Sequence, residues 1–230
     1  MTEDETSGGE GEVRAKWQRS RAGDDYVRSR FSSRNARQRD ARLLARVAAR
    51  AGVRLAEASP VLDVPCGTGR MAAAAAALGP AARYVGADVS ASMLEAFEAP
   101  EAARVRASVF ALPSANGAFD AVVCCRFLHH LGAPEQQGER RAALAELARA
   151  SRRWVLASWW DAASLRGRSA ARKARRGTRT ACRWSELAED LRAVGLEPRA
   201  RAYSLRFVSA QAWFAAELRS QIRSQDHQQR

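Results

Sequence analysis

The chain has 230 residues, enough for a single domain with a sizeable core, and a formal net charge of +13. Its apolar runs fall well short of the roughly 20 residues of a membrane-spanning helix, and it shows no secretory leader, so we predict a cytoplasmic protein without a membrane span. Four cysteines without a CxxC pair and three histidines without ligand spacing predict no metal site.

The first 54 residues divide into an acidic and a basic segment. Residues 1–13 carry five acidic residues and no basic one, and this polar, glycine-rich composition predicts disorder. Residues 14–54 carry thirteen basic residues against three acidic ones, and 35–51 has apolar residues at helical spacing. We predict a basic N-terminal arm and an amphipathic helix, ended by Gly52, that form a lid or cap over the next domain.

Residues 55–218 alternate between strand-like and helical patterns. Five strand-like apolar runs come first, at 60–64, 82–87, 103–109, 119–125 and 153–158. Helical patterns separate them, at 70–78, 90–98 and 134–150. A basic loop, a helix, two strands and a flexible tail are predicted to follow, at 159–181, 184–194, 197–205, 211–218 and 219–230. The alternation predicts an α/β fold with βαβ units and a mainly parallel sheet.

The most informative stretch is the turn after the first strand, Asp63-Val-Pro-Cys-Gly-Thr-Gly69. A strand, a tight glycine turn and a helix present backbone N–H groups to a ligand in an open α/β sheet. Gly67 and Gly69 lack a Cβ, so the backbone there can take a positive φ and approach that ligand closely. Asp88 ends the second strand, where a carboxylate can accept hydrogen bonds from both hydroxyls of a ribose.

Four motifs in this order resemble those of the class I S-adenosylmethionine-dependent methyltransferases, over roughly residues 35–218. They are the glycine turn and three later segments, at 63–69, 86–94, 111–124 and 126–131. The resemblance implies a Rossmann-like, seven-stranded, mainly parallel sheet with helices on both faces and an antiparallel last strand. It also implies an enzyme that uses S-adenosyl-L-methionine as its cofactor and transfers the methyl group by in-line displacement.

The resemblance assigns individual residues to the parts of the cofactor. The methionine end would lie against the glycine turn, through Asp63, Pro65, Gly67 and Gly69. The ribose would bind Asp88, and the adenine would lie against the next motifs, through Val89, Met93, Ser108 and Val109. Two positions depart from the family pattern, because Pro65 replaces the first glycine of the turn and Ser108 replaces an acid.

Three further residues leave more than one interpretation open. Arg126 could bind the cofactor's carboxylate or an anionic group of the substrate, or it could cap a structural acid, because a buried charge should be paired. His130 aligns with a substrate-side histidine of the family and could act as a general base, whereas it or His129 could instead pack or bind backbone. Tyr26 lies where the family often places a lid over the substrate, or it anchors the N-terminal arm.

The basic segments bear on the identity of the acceptor. Residues 14–54 and 162–183 hold the excess charge, whereas 55–161 contain ten basic and eleven acidic residues. Two basic flaps beside one pocket would favour an anionic acceptor, so we predict a small-molecule or lipid- or sugar-linked acceptor of anionic character. The alternatives are an RNA methyltransferase that grips phosphates with these segments, a non-catalytic binding module of the same fold, and a purely compositional arginine excess. The oligomeric state is not predicted.

Overall fold

The structure is a computed structural model that describes residues 34–99, 102–173 and 180–219. The predictions for residues 1–13, for Tyr26 and for the tail from residue 220 onward fall outside these ranges. Within them the helices are α1 (Arg34–Ala51), α2 (Ala72–Ala76), α3 (Ala91–Glu95), α4 (Gln137–Ala150), α5 (Leu165–Lys173) and α6 (Trp184–Ala193). The strands are β1 (Pro60–Asp63), β2 (Arg83–Asp88), β3 (Ala103–Arg106), β4 (Phe119–Cys124), β5 (Ser151–Trp160), β6 (Leu196–Tyr203) and β7 (Gln211–Leu218).

The strands form one sheet in the order β3-β2-β1-β4-β5-β7-β6. Neighbours from β3 through β5 pair in parallel, whereas β7 pairs antiparallel with both β5 and β6. This arrangement confirms the predicted seven-stranded, mainly parallel sheet with an antiparallel last strand. Because β6 runs in the same direction as the first five strands, the carboxyl ends of six strands meet at one edge of the sheet.

Successive side chains of each strand enter two different core layers, as the two-residue period of a strand requires. On β1, Leu62 packs in the layer that holds Leu144 of α4 and Leu187 of α6. Its neighbour Val61 packs in the opposite layer, which holds Leu44 of α1. All of these side chains are buried, and each such burial contributes about 1.5–3 kcal/mol relative to exposure. Helices on both faces therefore leave the strand ends as the accessible parts of the sheet.

The outer strand β6 is covered by arginines of α1. Arg46 Nη1 donates to the carbonyl oxygen of Tyr203 at 3.4 Å, and Arg50 Nη1 donates to the carbonyl oxygen of Arg201 at 2.8 Å. These bonds satisfy backbone acceptors that an edge strand would otherwise offer to another chain. Part of the positive charge of the predicted cap therefore has a structural role at the sheet edge.

Two elements differ from the sequence prediction. The predicted basic loop 159–181 is wrong in part, because β5 continues to Trp160 and α5 occupies Leu165–Lys173. The Ser164 hydroxyl accepts a hydrogen bond from the Gly167 N–H at 2.9 Å, and the arginines and alanines that follow are strong helix formers. The third strand ends at Arg106 rather than at residue 109, because the Ser108 hydroxyl accepts from the Phe110 N–H and turns the chain.

Two glycines allow a matched test of this packing. A Cβ on Gly167 would lie 1.8 Å from the carbonyl oxygen of Asp161, whereas a Cβ on Gly138, in the first turn of α4, would meet nothing within 4 Å. We expect Gly167→Ala to lower the free energy of unfolding by about 1–3 kcal/mol through overpacking. Gly138→Ala should raise it by about 0.5–1 kcal/mol. Urea unfolding followed by tryptophan fluorescence measures both, and effects of the same sign would contradict the placement of α5.

Candidate active site

Asp88 lies at the carboxyl end of β2 and is held there by two backbone N–H groups. Its Oδ2 accepts from the Gly67 N–H at 2.8 Å and its Oδ1 accepts from the Ser90 N–H at 2.9 Å. Gly67 reaches this position with a φ of +56°, which glycine adopts without strain. Because a carboxylate oxygen can accept two hydrogen bonds, each oxygen of Asp88 retains one acceptor position for a ligand hydroxyl.

Asp88 lines a cavity at the carboxyl edge of the sheet. The cavity itself has a volume of about 100 Å³, and the space that includes its open mouth measures about 910 Å³. Nine residues that the sequence predicted for the site line it together, Pro65, Gly67, Asp88, Val89, Met93, Ser108, Val109, Arg126 and His130. The remaining walls come from Cys66, Thr68, Arg70, Met71, Ala107, Phe110, Cys125 and Phe127.

Two predicted residues, Asp63 and Gly69, are not among the residues that line the cavity. Gly69 has a φ of +80°, and a Cβ there would lie 2.8 Å from the ring of Phe97, so this glycine serves close packing. The Asp63 Oδ2 accepts from the Tyr84 hydroxyl at 2.8 Å, whereas its buried Oδ1 has no hydrogen-bond partner among the described residues. Burial is the main reason why the pKa of Asp63 rises to about 7.

The predicted adenine contacts form an apolar part of the cavity wall. Met93 and Val109 are buried there, and the ring of Phe110 meets the ring of Phe127 edge to face at 5.9 Å between centroids. The Ser108 hydroxyl is already used as an acceptor by the Phe110 N–H at 3.2 Å. Ser108 therefore shapes the turn that carries this wall, and its hydroxyl still has a proton to donate.

Arg126 forms an ion pair inside the molecule and also lines the cavity. Its Nε donates to the Asp40 Oδ2 at 2.9 Å, and its backbone N–H donates to the Ser158 hydroxyl at 2.7 Å. These bonds hold a φ of +59°, which residues other than glycine rarely adopt. The sequence left several roles open for Arg126. The structure shows one of them, the pairing of Arg126 with a structural acid, and its place in the cavity lining leaves ligand binding open.

Asp40 was not predicted as part of the site. It is fully buried, and its carboxylate also accepts from Arg70 and, at 2.6 Å, from the Gln211 Nε2. The signal in the sequence was weak, since Asp40 is a single acid within the arginine-rich run of α1. Its partners lie up to 171 positions away along the chain, so local patterns do not reveal them.

His130 lines the cavity next to Arg126 and is buried in the turn that follows β4. Its ring centroid lies 4.2 Å from that of His129, which in turn stacks on Trp160 at 4.9 Å. The His129 carbonyl oxygen accepts from the Thr180 N–H at 2.7 Å. His129 is thus packed into the structure, and His130 is the histidine of the pair that lines the cavity.

All four cysteines are buried as free thiols, and burial is the main reason why the pKa of Cys66 and the pKa of Cys125 lie above their usual range. In the described part of the chain, no group of three or more His, Cys, Asp or Glu side chains could hold a metal ion. Within the same residues, no helix combines the length and the apolar character of a bilayer span.

Comparison with known proteins identifies the domain that contains this cavity. Residues 61–153 match the family model described as a methyltransferase domain. The chain carries a class I S-adenosylmethionine-dependent methyltransferase domain. The matched range contains the glycine turn, Asp88 and His130, and it confirms the predicted family, enzyme class and cofactor. No curated protein matches the chain at significant similarity.

Solved structures share the fold of this methyltransferase domain. Magnesium protoporphyrin IX methyltransferase from Synechocystis PCC 6803, with bound S-adenosylhomocysteine, is 20% identical with a TM-score of 0.67, over 91% of this chain and 99% of its own. The 1,6-didemethyltoxoflavin-N1-methyltransferase of Burkholderia thailandensis is 18% identical with a TM-score of 0.59, over 90% and 87%. The [4+2]-cyclase SpnF is 18% identical with a TM-score of 0.58, over 77% and 80%. The match to the methyltransferase domain, rather than the shared fold, therefore indicates the reaction.

The buried carboxyl group of Asp63 predicts a pH dependence of stability. Its folded pKa of about 7 exceeds the usual value of 3.8, so the unfolded chain releases this proton first as the pH rises. Between these two values the free energy of unfolding should fall, by up to about 1.4 kcal/mol per pH unit. Asp63→Asn removes this contribution, so urea unfolding should show the variant gaining stability relative to the wild type across the same interval. Asp120→Asn, at the partly exposed amino end of β4, is the control and should keep the pH profile of the wild type. Identical pH profiles for Asp63→Asn and the wild type would contradict the burial argument.

Proposed function

We propose that this methyltransferase transfers a methyl group to an anionic small-molecule or lipid- or sugar-linked acceptor that enters the cavity beside Arg126 and His130. The observation that carries the proposal is the assembly of nine predicted site residues, from four separate segments of the chain, in one cavity at the carboxyl edge of the sheet. Ligands of open α/β sheets bind at this edge.

The cavity fits the cofactor in three parts. Asp88, fixed by two N–H groups, would accept hydrogen bonds from the ribose hydroxyls. Met93 and Val109 would enclose the adenine in the apolar part of the wall. The methionine end would then lie beside the glycine turn, at Pro65 and Gly67, with Arg126 nearby.

The charges at that end suit a carboxylate. Arg70 and Arg126 both line the cavity, and both pair with the single carboxylate of Asp40. Asp40 thus holds both guanidinium groups at the cavity wall, and guanidinium groups bind carboxylates with strong, charge-assisted hydrogen bonds. The carboxylate of the cofactor's methionine moiety would lie beside them.

S-adenosylmethionine supplies a methyl group on an activated sulfonium, so the protein mainly needs to orient the acceptor and exclude water. Phe110 and Phe127 add apolar surface to the cavity wall, which would help to exclude water from the bound ligands. We assign to His130 the removal of a proton, at an imidazole nitrogen, from an acceptor that must lose one during attack. Tyr26, outside the described residues, remains our candidate for a lid residue.

The anionic character of the acceptor follows from the charges at the same edge. The α5 helix and the segment after it, at 162–183, follow the carboxyl end of β5 and carry eight basic residues and no acidic one. A positive field around a cavity mouth raises the local concentration of anionic ligands. An RNA acceptor would be attracted by the same field. The two acceptor classes are distinguished by whether the transferred methyl group is found on RNA or on a small molecule.

The ribose role of Asp88 can be tested with a ligand cycle. We expect Asp88→Ala to weaken S-adenosylhomocysteine binding by about 1.5–3 kcal/mol, the range for hydrogen bonds to charged groups. Because the mutation also frees the Gly67 N–H, calorimetry should be repeated with an analogue that lacks both ribose hydroxyls. The mutation should cost far less affinity with that analogue than with S-adenosylhomocysteine.

The matched control is Asp120→Ala, which removes a carboxylate from the same sheet outside the cavity and should leave both affinities unchanged. Equal losses for the two ligands in Asp88→Ala would show that Asp88 only positions the glycine turn.

The acceptor class can be tested with cofactor labelled in the methyl group. Purified protein is incubated with a cell extract and labelled S-adenosylmethionine, and the extract is divided into samples treated with nuclease, protease or organic solvent. We expect the label in small-molecule or solvent-extractable material that nuclease leaves intact, and we expect Asp88→Ala to reduce it at least tenfold. Nuclease-sensitive label would instead indicate RNA, and binding of S-adenosylhomocysteine without any labelled product would indicate a non-catalytic module.

A further inference from the structure

Three large apolar side chains are exposed on one small surface, which we call the apolar tip. Leu165, Leu205 and Phe207 are 62%, 60% and 66% exposed. Leu165 begins α5, whereas the other two lie in the loop between β6 and β7, and the Leu165 N–H donates to the Phe207 carbonyl oxygen at 2.8 Å. A backbone bond thus holds two separate segments together with their apolar side chains exposed.

The backbone of the apolar tip is strained in the conformation that exposes it. Phe207 has a φ of +67°, which is rare for a bulky residue and costs free energy unless the surroundings impose it. The Arg206 guanidinium lies 4.8 Å from the ring centroid of Phe207. An exposed apolar ring on a backbone of rare conformation is typical of binding surfaces.

A cleft of basic side chains continues from the apolar tip along β6. This arginine cleft, lined by Arg50, Arg201, Tyr203 and Arg206, occupies about 740 Å³ when its open mouth is counted. Arg206 belongs to both surfaces, because it lies between Leu205 and Phe207 in the chain. The arginine cleft is separate from the cavity that holds Asp88, whose lining shares none of these residues.

The surroundings of both surfaces are positive and almost free of opposing charge. Within the described residues, segments 41–56, 162–173 and 198–216 carry four, four and three basic residues, and none of them contains an acidic residue. The acid next to the apolar tip, Asp161, is buried, and its Oδ1 accepts from the Ala163 N–H at 2.9 Å. Partners of negative charge are therefore favoured over cationic or neutral ones.

We propose that the apolar tip and the arginine cleft together dock the protein on the surface of an anionic lipid bilayer. Leucine and phenylalanine side chains enter the boundary between headgroups and acyl chains, while neighbouring arginines bind anionic headgroups. The loop between β6 and β7 and the start of α5 both lie at the carboxyl edge of the sheet. Docking there turns the mouth of the cavity toward the lipid. This inference concerns binding alone and does not depend on methyl transfer.

A lipid surface explains these features better than RNA or a second copy of the chain. RNA binding uses phosphate contacts and aromatic stacking, for which the aliphatic side chains of Leu165 and Leu205 have no use. A second copy would bring the same arginines face to face in a two-fold contact, which like-charge repulsion disfavours. An anionic bilayer satisfies the apolar and the basic side chains at once.

The test is co-sedimentation of the full chain with vesicles of phosphatidylcholine alone or with 30% phosphatidylglycerol. We expect binding to the anionic vesicles to exceed binding to the neutral ones at least tenfold. Replacing the apolar tip by Leu165→Gln, Leu205→Gln and Phe207→Asn should weaken binding at least tenfold, and asparagine tolerates the positive φ. Arg201→Gln with Arg206→Gln should weaken it by roughly fivefold for each arginine.

The matched control is Arg54→Gln with Arg83→Gln, which removes the same charge at the amino edge of the sheet and should change binding less than twofold. Thermal unfolding and S-adenosylhomocysteine affinity should be the same in all variants. Equal losses in the control and the cleft variant would sink the proposal, because binding would then follow net charge alone. Salt-sensitive binding of single-stranded RNA without any vesicle binding would also contradict the proposal. A dimer that the apolar-tip variant converts to monomer would contradict it as well.

Discussion

The carboxylate of Asp40 is the interaction on which the site depends. It is fully buried, and it binds side chains from the first turn after the glycine loop, from the end of β4 and from the start of β7. Removing one partner from a buried ion pair typically costs 3–5 kcal/mol, because the opposite charge is left uncompensated. Asp40 thus ties α1 to the cavity, and it fixes two of the guanidinium groups in the cavity wall.

The glycine turn and Asp88 form a second, smaller unit that backbone hydrogen bonds of the protein hold in place. The carboxylate already accepts from the N–H groups of Gly67 and Ser90, so a ribose would meet oxygens whose position is set. A ligand that binds a prearranged group loses less free energy to ordering than one that must arrange it. The same bonds explain why the turn requires a positive φ at Gly67, whereas Gly69 is needed for the ring of Phe97.

The sequence predicted the parts of the site that local geometry determines. A strand, a glycine turn and a helix identify one another within a few residues, so Gly67, Asp88 and the later motifs could be placed in one cavity before the structure was known. Asp40 and Gln211 could not, because their contact joins positions 171 residues apart. Asp63 was assigned to the ligand by its place in the motif, and it does not line the cavity, so its role stays a prediction. The helix α5 was missed because an arginine-rich stretch without large apolar residues lacks the periodicity that identifies a helix.

Two buried acids, Asp63 and Asp88, contribute to the electrostatic character of the site. Burial raises the pKa of Asp63 to about 7 and also raises the pKa of Asp88, which opposes the loss of their protons. The Asp63 Oδ1 has no hydrogen-bond partner among the described residues, so its ionised form is stabilised on one oxygen alone. A ligand with a positive centre near these carboxyl groups would favour their ionised forms, since an opposite charge within a few ångströms lowers such a pKa. A positively charged ligand such as S-adenosylmethionine would thus offset part of the cost of burying these two acids, whereas an analogue without the sulfonium charge would offset less of it.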